Sequence, residues 1–210
     1  MDIKIQDGKL VQGPSQFSLH FDNNEIHDGP MGQMVEDRFI RNALFTKICE
    51  HDQIDYKFAC EVMEHKKEKG YVSVTLKNGN KLNTRLVVGA DGKNSELARR
   101  AGIKKAGWKY NQTALVCAIE HEIEHNGLAW QYFLPTGPLA VLPMKGKRSS
   151  VVWTEQNIHV KAVNSCDKIE YTKILEARLG NFLGKFKIIG DRYSYPLELK
   201  IADRFVDERL

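Results

Sequence analysis

The sequence feature that most constrains this chain is the stretch L-V-V-G-A-D-G-K-N-S at residues 86–95, followed directly by E-L-A-R-R. The apolar run at residues 86–88 predicts a short strand covered on both faces. Gly89 and Gly92 permit backbone conformations that side chains forbid, and they let a ligand approach the main chain. The stretch therefore predicts a buried strand, a tight turn and a helix, in that order.

Polar side chains follow that predicted strand. Asn94 or Ser95 can cap the helix, whose free N–H groups favour an anion. Asp91 lies at the carboxyl end of the strand, where a carboxylate suits a ribose hydroxyl or a positioned cation. The turn is therefore a candidate ligand site.

Length and composition leave several classes of protein open. The chain has 210 residues, of which 42% are hydrophobic and 28% charged, as is typical of a globular protein with one large or two small domains. The net charge of +4 is compatible with an anionic membrane surface, a phosphate-bearing cofactor or an ordinary solvated surface. No basic stripe is interleaved with aromatic residues, so we expect no nucleic-acid partner.

The four cysteines, Cys49, Cys60, Cys117 and Cys166, lie far apart and without a C-x-x-C spacing. This pattern predicts reduced thiols in a cytosolic-type compartment, with no disulfide framework or cysteine metal site. No segment approaches the ~18 apolar residues of a membrane span, and the opening M-D-I-K-I lacks the apolar core of a signal peptide. We therefore expect a cytoplasmic protein.

Hydrophobic periodicity predicts mainly strands and one long helix in the first half of the chain. The expected elements are two strands within residues 4–21 around the turn D-G-K, a helix at residues 35–48, strands at residues 54–64, 71–76 and 81–88, and a short helix at residues 96–101. The lysine-rich run K-K-E-K-G and the pair Asn-Gly are expected to be the turns between the last three strands.

The second half predicts an antiparallel meander with a covering helix. The expected elements are strands at residues 108–123, 128–134, 139–144 and 149–154, an amphipathic helix at residues 167–183 and a closing strand at residues 188–199.

The motif H-E-I-E-H at residues 121–125 matches the zinc-binding pattern H-E-x-x-H, which requires a helix. Apolar alternation before and within the motif predicts a strand instead. In a strand the two histidines would lie ~13 Å apart, too far to share one zinc ion. We therefore expect no metal site here.

Two stretches resemble one known family. V-V-G-A-D-G-x-x-S, at residues 87–95, resembles the second fingerprint of the FAD-dependent aromatic hydroxylases, the single-component flavoprotein monooxygenases. A-W-Q-Y-F-L-P-T-G-P-L-A-V-L-P, at residues 129–143, resembles the ubiquinone-biosynthesis branch of that family, whose members hydroxylate the ring of polyprenylated phenols. The resemblance implies an enzyme that binds FAD and uses NAD(P)H as co-substrate together with O2.

The fold class that the resemblance implies is α/β (α+β), with part of an FAD-binding Rossmann-like domain and an antiparallel-sheet substrate domain with a covering helix. Residues 1–107 would form the partial FAD-binding domain, although the strands near residues 1–25 can join the substrate sheet instead. Residues 108–200 would form the substrate-binding domain, and residues 201–210 would return towards the FAD domain.

Cofactor-binding residues follow from the same resemblance. Arg38 leads the pattern R-x-x-L-x-x-x-L of a helix whose first arginine contacts FAD. From the residues alone, Arg38 and Arg41 are equally consistent with a solvated helix face. Val62 holds the place of a residue that lies against the adenine, and Asp91 and Gly92 belong to the fingerprint.

The implied chemistry belongs mostly to the cofactor. NAD(P)H reduces the FAD, the reduced flavin activates O2 for transfer to an electron-rich ring, and the protein supplies position and a dry cavity. No catalytic acid or base is assigned. The candidates for the substrate wall are Phe133, Val141, Pro143 and Trp153, because a prenylated phenol requires an apolar and aromatic surface. Plain core packing is the alternative for each of the four.

Two motifs of the family, an early G-x-G-x-x-G turn and a late G-D, do not occur in this sequence at the expected places. We therefore expect a central segment of a hydroxylase that is inactive alone. The alternative is a truncated, non-catalytic module that binds prenylated intermediates or a partner hydroxylase. An uncovered sheet edge favours a homodimer, and the implied substrate favours peripheral association with the inner membrane or with a ubiquinone-biosynthesis complex.

Overall fold

A computed structural model describes residues 1–9, 13–25 and 29–210 of the chain. These residues form two compact units. The first comprises Met1–Ile40 and Lys109–Leu197, and the second comprises Arg41–Trp108 and Glu198–Leu210. Among the described helices, none is long and apolar enough to cross a membrane.

The elements in chain order are β1 (Asp2–Lys9), β2 (Gly13–Phe21), a 3-10 turn (Asn23–Glu25), α1 (Asp37–Cys49), β3 (Val62–Glu68), β4 (Tyr71–Leu76), β5 (Lys81–Thr84), α2 (Glu96–Arg100), β6 (Lys105–His121), β7 (Leu128–Leu134), β8 (Gly137–Pro143), β9 (Arg148–Gln156), α3 (Asn157–Ser165), α4 (Lys168–Leu179) and β10 (Phe186–Ala202).

The first unit is built on a seven-stranded sheet in the order β10-β6-β9-β8-β7-β1-β2. Strands β7, β8 and β9 form an antiparallel meander, as predicted, but β6 pairs antiparallel with β9 and does not lie beside β7. Strand β1 pairs antiparallel with β2 but parallel with β7. The sheet is therefore mixed. Because β1 is not joined to β7 by a hairpin, β1 can run either parallel or antiparallel to β7. The predicted α/β (α+β) fold class is confirmed.

Helix α4 covers one face of this sheet. Leu115, Leu139 and Trp153 are fully buried in one cluster with Tyr171 and Leu175 of the helix. The burial of β6 and β9 alternates with a period of two towards this cluster, as expected for strands with one covered face. Apolar burial on this face holds the first unit together.

The second unit contains a three-stranded antiparallel sheet in the order β3-β4-β5. Val72, Val74 and Leu76 on β4 form its buried face, and Val87 packs against them. The predicted Asn-Gly hairpin is confirmed, because Gly79 has a φ of +85° and its N–H donates to the carbonyl of Leu76.

The predicted buried strand at residues 86–88 is wrong. Leu86 and Val88 are 58% and 78% exposed, and no strand among the described residues pairs with this segment. The N–H of Val87 donates to the carbonyl of Arg209. Apolar side chains favour a buried strand, but a strand also needs a neighbouring strand whose backbone N–H and C=O groups can pair with its own.

Other boundaries also differ from the predictions. Strand β3 begins at Val62, and the lysine-rich run predicted as a turn contributes Lys66 and Lys67 to it. Helix α1 is confirmed as a helix, but none of its residues is buried. Helix α3 was not predicted, because Val163 is its one buried residue and asparagine, histidine and valine give little helical signal.

Candidate functional site

The Asp91 turn leads into helix α2, as the sequence predicted. Asp91 Oδ2 accepts the N–H of Leu97 at 3.1 Å, and Ser95 Oγ accepts the N–H of Ala98 at 3.0 Å. A hydrogen bond from the Ser95 side chain, together with backbone N–H groups, lowers the pKa of Asp91 below its usual value of 3.8. The carboxylate is therefore ionised at neutral pH and anchors the start of the helix.

Gly89 leaves room for the Leu97 side chain. A Cβ at Gly89 would lie 2.8 Å from the Leu97 side chain. Gly92 has a φ of +80°, a left-handed conformation that favours glycine. The two glycines therefore fix the path of the turn around Asp91.

A pocket of about 370 Å³ lies beside this turn, within the second unit. Its apolar wall includes Val62, Val74 and Val88, and its polar lining includes Asp91 and Arg100. The structure thus brings together Val62 and Asp91, which are 29 positions apart in the sequence and were both singled out as cofactor-binding. A valine wall beside a carboxylate suits a nucleoside, with the base on the apolar wall and a ribose hydroxyl on the carboxylate.

Sequence reasoning missed Arg100 as a residue of this pocket. Its Nη1 donates to the carbonyl oxygen of Val62 at 2.8 Å, across 38 positions of the chain. The only local signal was the Arg99-Arg100 pair at the end of a predicted helix, and Arg99 instead pairs with Glu96 at 2.6 Å on the surface. A contact between distant segments leaves no trace in local periodicity.

Arg38 lies in the first turn of α1, in the first unit. Its guanidinium pairs with Glu36 at 2.7 Å and lies over the ring of Phe39 at 4.7 Å. The side chain is 65% exposed, so it has room to contact a ligand. Its contact with FAD stays a prediction.

The four candidates for the substrate wall fall on two different faces of the seven-stranded sheet. Val141 and Trp153 are fully buried in the α4-covered core, and Pro143 is buried on the same face. Phe133 points to the opposite face and is 48% exposed. For the first three the structure shows core packing, the alternative that the sequence left open, whereas the lining role stays a prediction for Phe133.

The face that α4 leaves uncovered is apolar in part. Directly paired residues lie on the same side of a sheet, so the register places Asp7, Ala114, Glu120, Arg148 and Thr154 on this side. It also places there Ile3, Ile5, Leu19, Phe21, Val116, Ala118, Ala129, Gln131, Phe133, Ala140, Leu142, Ser150 and Val152. We call this side of the sheet the open face. All the residues named except Ala114, Ala129 and Thr154 are half-buried or exposed. The apolar part of the open face can therefore contact a large apolar ligand.

The turn between β7 and β8 borders the open face and is held rigidly. Gln112 Nε2 donates to the carbonyl of Thr136 at 3.0 Å. Gly137 has a φ of +139°, and a Cβ there would lie 2.7 Å from the Thr154 side chain. The shape of this turn therefore depends on a glycine at residue 137.

The two histidines of the H-E-I-E-H motif are closer together than a continuous strand would allow. Strand β6 ends at His121, and the loop that follows brings the two rings to a centroid separation of 5.7 Å. His121 bonds to the Ile123 carbonyl and to Ser149 Oγ, and His125 Nε2 lies 2.8 Å from the Met144 carbonyl. Burial lowers the pKa of His121. These ring nitrogens therefore serve local structure, and the described residues contain no group of three or more metal-ligating side chains.

Curated relatives match most of the chain, although no protein-family model does. The protein named ubiquinone hydroxylase UbiL, from Rhodospirillum rubrum, is 40% identical over 206 residues, which make up 98% of this chain and 48% of that protein. The human mitochondrial protein named ubiquinone biosynthesis monooxygenase COQ6 is 32% identical over 168 residues, or 75% of this chain and 35% of that protein. The chain spans about half the length, or less, of these relatives.

Solved structures share the fold at low sequence identity. The match to the flavin-dependent halogenase CmlS has a TM-score of 0.74 at 14% identity. It covers 99% of this chain and 39% of the halogenase chain. The match to aklavinone-11 hydroxylase, whose structure was solved with FAD and aklavinone, has a TM-score of 0.68 at 16% identity. It covers 99% of this chain and 42% of the hydroxylase chain. The shared fold and the identity to UbiL agree with the two sequence motifs. The chain therefore belongs to the ubiquinone-hydroxylase branch of the single-component flavoprotein monooxygenase family.

Proposed function

We propose that this chain is a segment of an FAD-dependent monooxygenase that hydroxylates the aromatic ring of a polyprenylated phenol in ubiquinone biosynthesis, using NAD(P)H and O2. The observation that carries the proposal is the pocket in which Val62 and Asp91 meet, in a chain whose relatives are named ubiquinone hydroxylases. FAD, when bound, would supply the redox chemistry that activates O2.

The second unit would hold the adenosine end of FAD. Val62 and Val88 offer an apolar wall for the adenine. Asp91 uses one oxygen for the Leu97 N–H, and a carboxylate has further lone pairs that can accept a ribose hydroxyl. The positive φ of Gly92 keeps the backbone open at that point.

The first unit would hold the phenol on the open face. Phe133 and Leu142 offer apolar contact and exclude water from the ring, which favours chemistry that must be kept dry. Gln131 and Ser150 offer side-chain hydrogen bonds to a phenol hydroxyl. Because a polyprenylated phenol partitions into membranes, we place the proposed enzyme peripherally at the inner membrane, facing the cytoplasm.

Flavin titration tests the cofactor assignment. FAD is added to the purified chain and quenching of flavin fluorescence is followed. Asp91→Ala should weaken binding about tenfold or more, because a hydrogen bond to a charged group is lost. The control Asp55→Ala, an exposed carboxylate of the same unit that pairs with Lys57, should leave binding unchanged.

Competition identifies the part of FAD that is bound. AMP should displace FAD from the chain, whereas riboflavin should not, if the pocket receives adenosine. Absence of FAD binding, or binding insensitive to both Asp91→Ala and AMP, would contradict the cofactor assignment for this chain.

A second candidate function is a non-catalytic module that binds prenylated intermediates. It is favoured by one observation, namely that the open face is formed entirely by residues of the first unit. Binding of a prenylated phenol without any binding of FAD would select this function over the first.

A further inference from the structure

We propose that Glu198 is a positioning residue for the pocket beside the Asp91 turn, because it holds Lys93 and Asn94 in place. The proposal rests on the proposed function, in which this pocket receives the adenosine end of FAD. It assigns to the second unit a residue that shapes the pocket although it does not line it.

Lys93 and Asn94 lie between two parts of the pocket wall. Residues 89–91, shortly before them, line the pocket, and so do Glu96 and Leu97, shortly after them. Lys93 and Asn94 are themselves exposed, so packing contributes little to holding them in place. The shape of the pocket therefore depends on the polar contacts that residues 93 and 94 make.

Four polar contacts hold this segment. Glu198 Oε1 lies 3.0 Å from Lys93 Nζ and 3.2 Å from Lys200 Nζ. Lys200 Nζ donates to Asn94 Oδ1 at 3.1 Å, and Lys105 Nζ donates to the carbonyl oxygen of Lys93 at 2.8 Å. Glu198 accepts from two of these three lysines, so it is the centre of the network.

The carboxylate of Glu198 is charged and only partly exposed. Hydrogen bonds from Lys93 and then from Lys200 lower its pKa below the usual value of 4.5, so it is ionised at neutral pH. One of its oxygens lies within hydrogen-bond distance of both ammonium groups. Without this negative charge, the two ammonium groups would repel each other and release the segment.

The end of β10 offers a firm support for these contacts. Glu198 and Lys200 are two positions apart in β10 and therefore lie on the same side of the strand. Strand β10 pairs with β6 in the sheet, and a Cβ at Gly107 of β6 would collide with the carbonyl oxygen of Leu199. The strand that carries Glu198 is thus packed closely against its neighbour.

A second role is possible for three lysines beside a pocket for a phosphate-bearing cofactor, namely binding of an anion. The contacts favour positioning, because Lys93 and Lys200 are already engaged by Glu198, and Lys105 by the Lys93 carbonyl. Adenosine and AMP distinguish the two roles, since they differ only in the phosphate.

The test measures binding of adenosine and of AMP to the full chain by isothermal titration calorimetry. Glu198→Gln should weaken both ligands alike, by about threefold to fivefold, the size expected when a partly exposed ion pair is lost. Tighter binding of AMP with unchanged binding of adenosine would overturn the proposal, because Glu198 would then only screen an anion site.

A double-mutant cycle tests whether Glu198 acts through Lys93. Lys93→Gln should weaken adenosine by no more than Glu198→Gln does, and the double variant should lose no more than Glu198→Gln alone, because both changes remove one shared contact. Glu198→Asp keeps the negative charge and should recover most of the affinity. Losses that simply add would contradict the shared contact.

The matched control is Asp207→Asn. Asp207 pairs with Lys67 at 2.7 Å in the same unit, and its side chain is 22% exposed, as is that of Glu198. This control loses a comparable ion pair away from residues 93 and 94, so both affinities should stay unchanged. A loss equal to that of Glu198→Gln would show a merely structural role.

Amide hydrogen exchange reports on the turn without any ligand. The N–H groups of Ser95 and Leu97 donate to the Gly92 carbonyl and to Asp91 Oδ2. Both should exchange faster in Glu198→Gln, because the turn opens more often, and at the original rate in Asp207→Asn. Unchanged exchange in Glu198→Gln would overturn the proposal.

Failure of this proposal is distinguishable from failure of the proposed function. If adenosine binding depends on Asp91 but not on Glu198, the positioning role fails and the proposed function stands. If the unaltered chain binds neither adenosine nor FAD, the cofactor assignment for this chain fails, and the positioning role that rests on it is overturned as well.

Discussion

At the scale of single residues, the carboxylate of Asp91 both stabilises a helix terminus and lines the candidate pocket. Its carboxylate accepts the Leu97 N–H and so stabilises the first turn of α2. The same carboxylate lines the pocket that also contains Val62. A ligand at this position would therefore meet a negative charge that is already held in place, which lowers the entropic cost of binding.

The pKa of Asp91 predicts how the second unit responds to acid. Because this pKa is lowered from 3.8 in the folded chain, the ionised carboxylate stabilises the fold above pH 3.8. That contribution is lost as the pH falls through the lowered value, since the proton binds more tightly to the unfolded chain. Asp91→Asn should remove this part of the pH dependence and cost about 0.3 to 1 kcal/mol near neutral pH, because the negative charge near the start of α2 is lost while an amide oxygen can still accept the Leu97 N–H.

Urea unfolding from about pH 6 to about pH 3 measures this effect. Asp55→Asn, at an exposed site in the same unit, is the matched control for the removal of one surface carboxylate. An unaltered acid response in Asp91→Asn would show that the carboxylate does not anchor the helix.

Gly137 provides a second prediction at this scale. Its φ of +139° and the 2.7 Å approach of Thr154 act together against any side chain. Gly137→Ala should destabilise the first unit by about 2 to 3 kcal/mol, because backbone strain adds to overpacking. At Gly127 φ is +72° and nothing lies within 4 Å of the added carbon. Gly127→Ala should therefore destabilise the fold only through the strained left-handed backbone, by about 1 kcal/mol. Thermal unfolding of the two variants makes the comparison, and equal losses would contradict it.

At the scale of elements, the strands of the meander could be predicted because each carries its own signal. Strand β7 spans Leu128–Leu134, as predicted, and β8 and β9 begin and end within two residues of their predictions. Alternation of apolar and polar residues, bounded by turns rich in glycine and proline, depends only on local sequence. Elements with that signal were therefore found.

Other elements depend on partners that local sequence does not contain. Residues 86–88 have the apolar composition of a strand, yet Val88 is 78% exposed because no described strand lies alongside. The position of Arg100 depends on the carbonyl of Val62, 38 residues away. Such contacts are set by tertiary structure and escape periodicity.

The candidate site shows the same limit in its two faces. Alternation along β7 and β8 separates Phe133 from Val141, but it does not say which side a helix will cover. The resemblance identified this segment as a substrate wall, and the register then divided it into a core side with Trp153 and an open side with Phe133. The sequence therefore predicts which segment forms the wall, and the packing of α4 determines which side of that segment stays uncovered.

At the scale of the whole molecule, both units expose apolar side chains. Phe17 and Leu19 on β2 are 82% and 63% exposed, and Phe205 and Val206 in the second unit are 85% and 73% exposed. Patches of this kind favour association with an apolar surface. Strand β2 also forms one edge of the seven-stranded sheet, so its backbone can pair with another strand.

We therefore predict that the chain self-associates in a concentration-dependent way, which light scattering can measure. Leu19→Gln should reduce the association, whereas Ile158→Gln, on α3 and 77% exposed, should not. Two copies can meet through their open faces or through the edges of their β2 strands. Adding geranylgeranylphenol, a prenylated phenol of the kind proposed to bind the open face, distinguishes these two arrangements. Packing of one open face on another should decrease when the ligand covers that face, because ligand and second copy compete for the same apolar area. Pairing of β2 edges through their backbones should persist, because the ligand leaves those N–H and C=O groups free. A chain that stays monomeric at every concentration would contradict both arrangements.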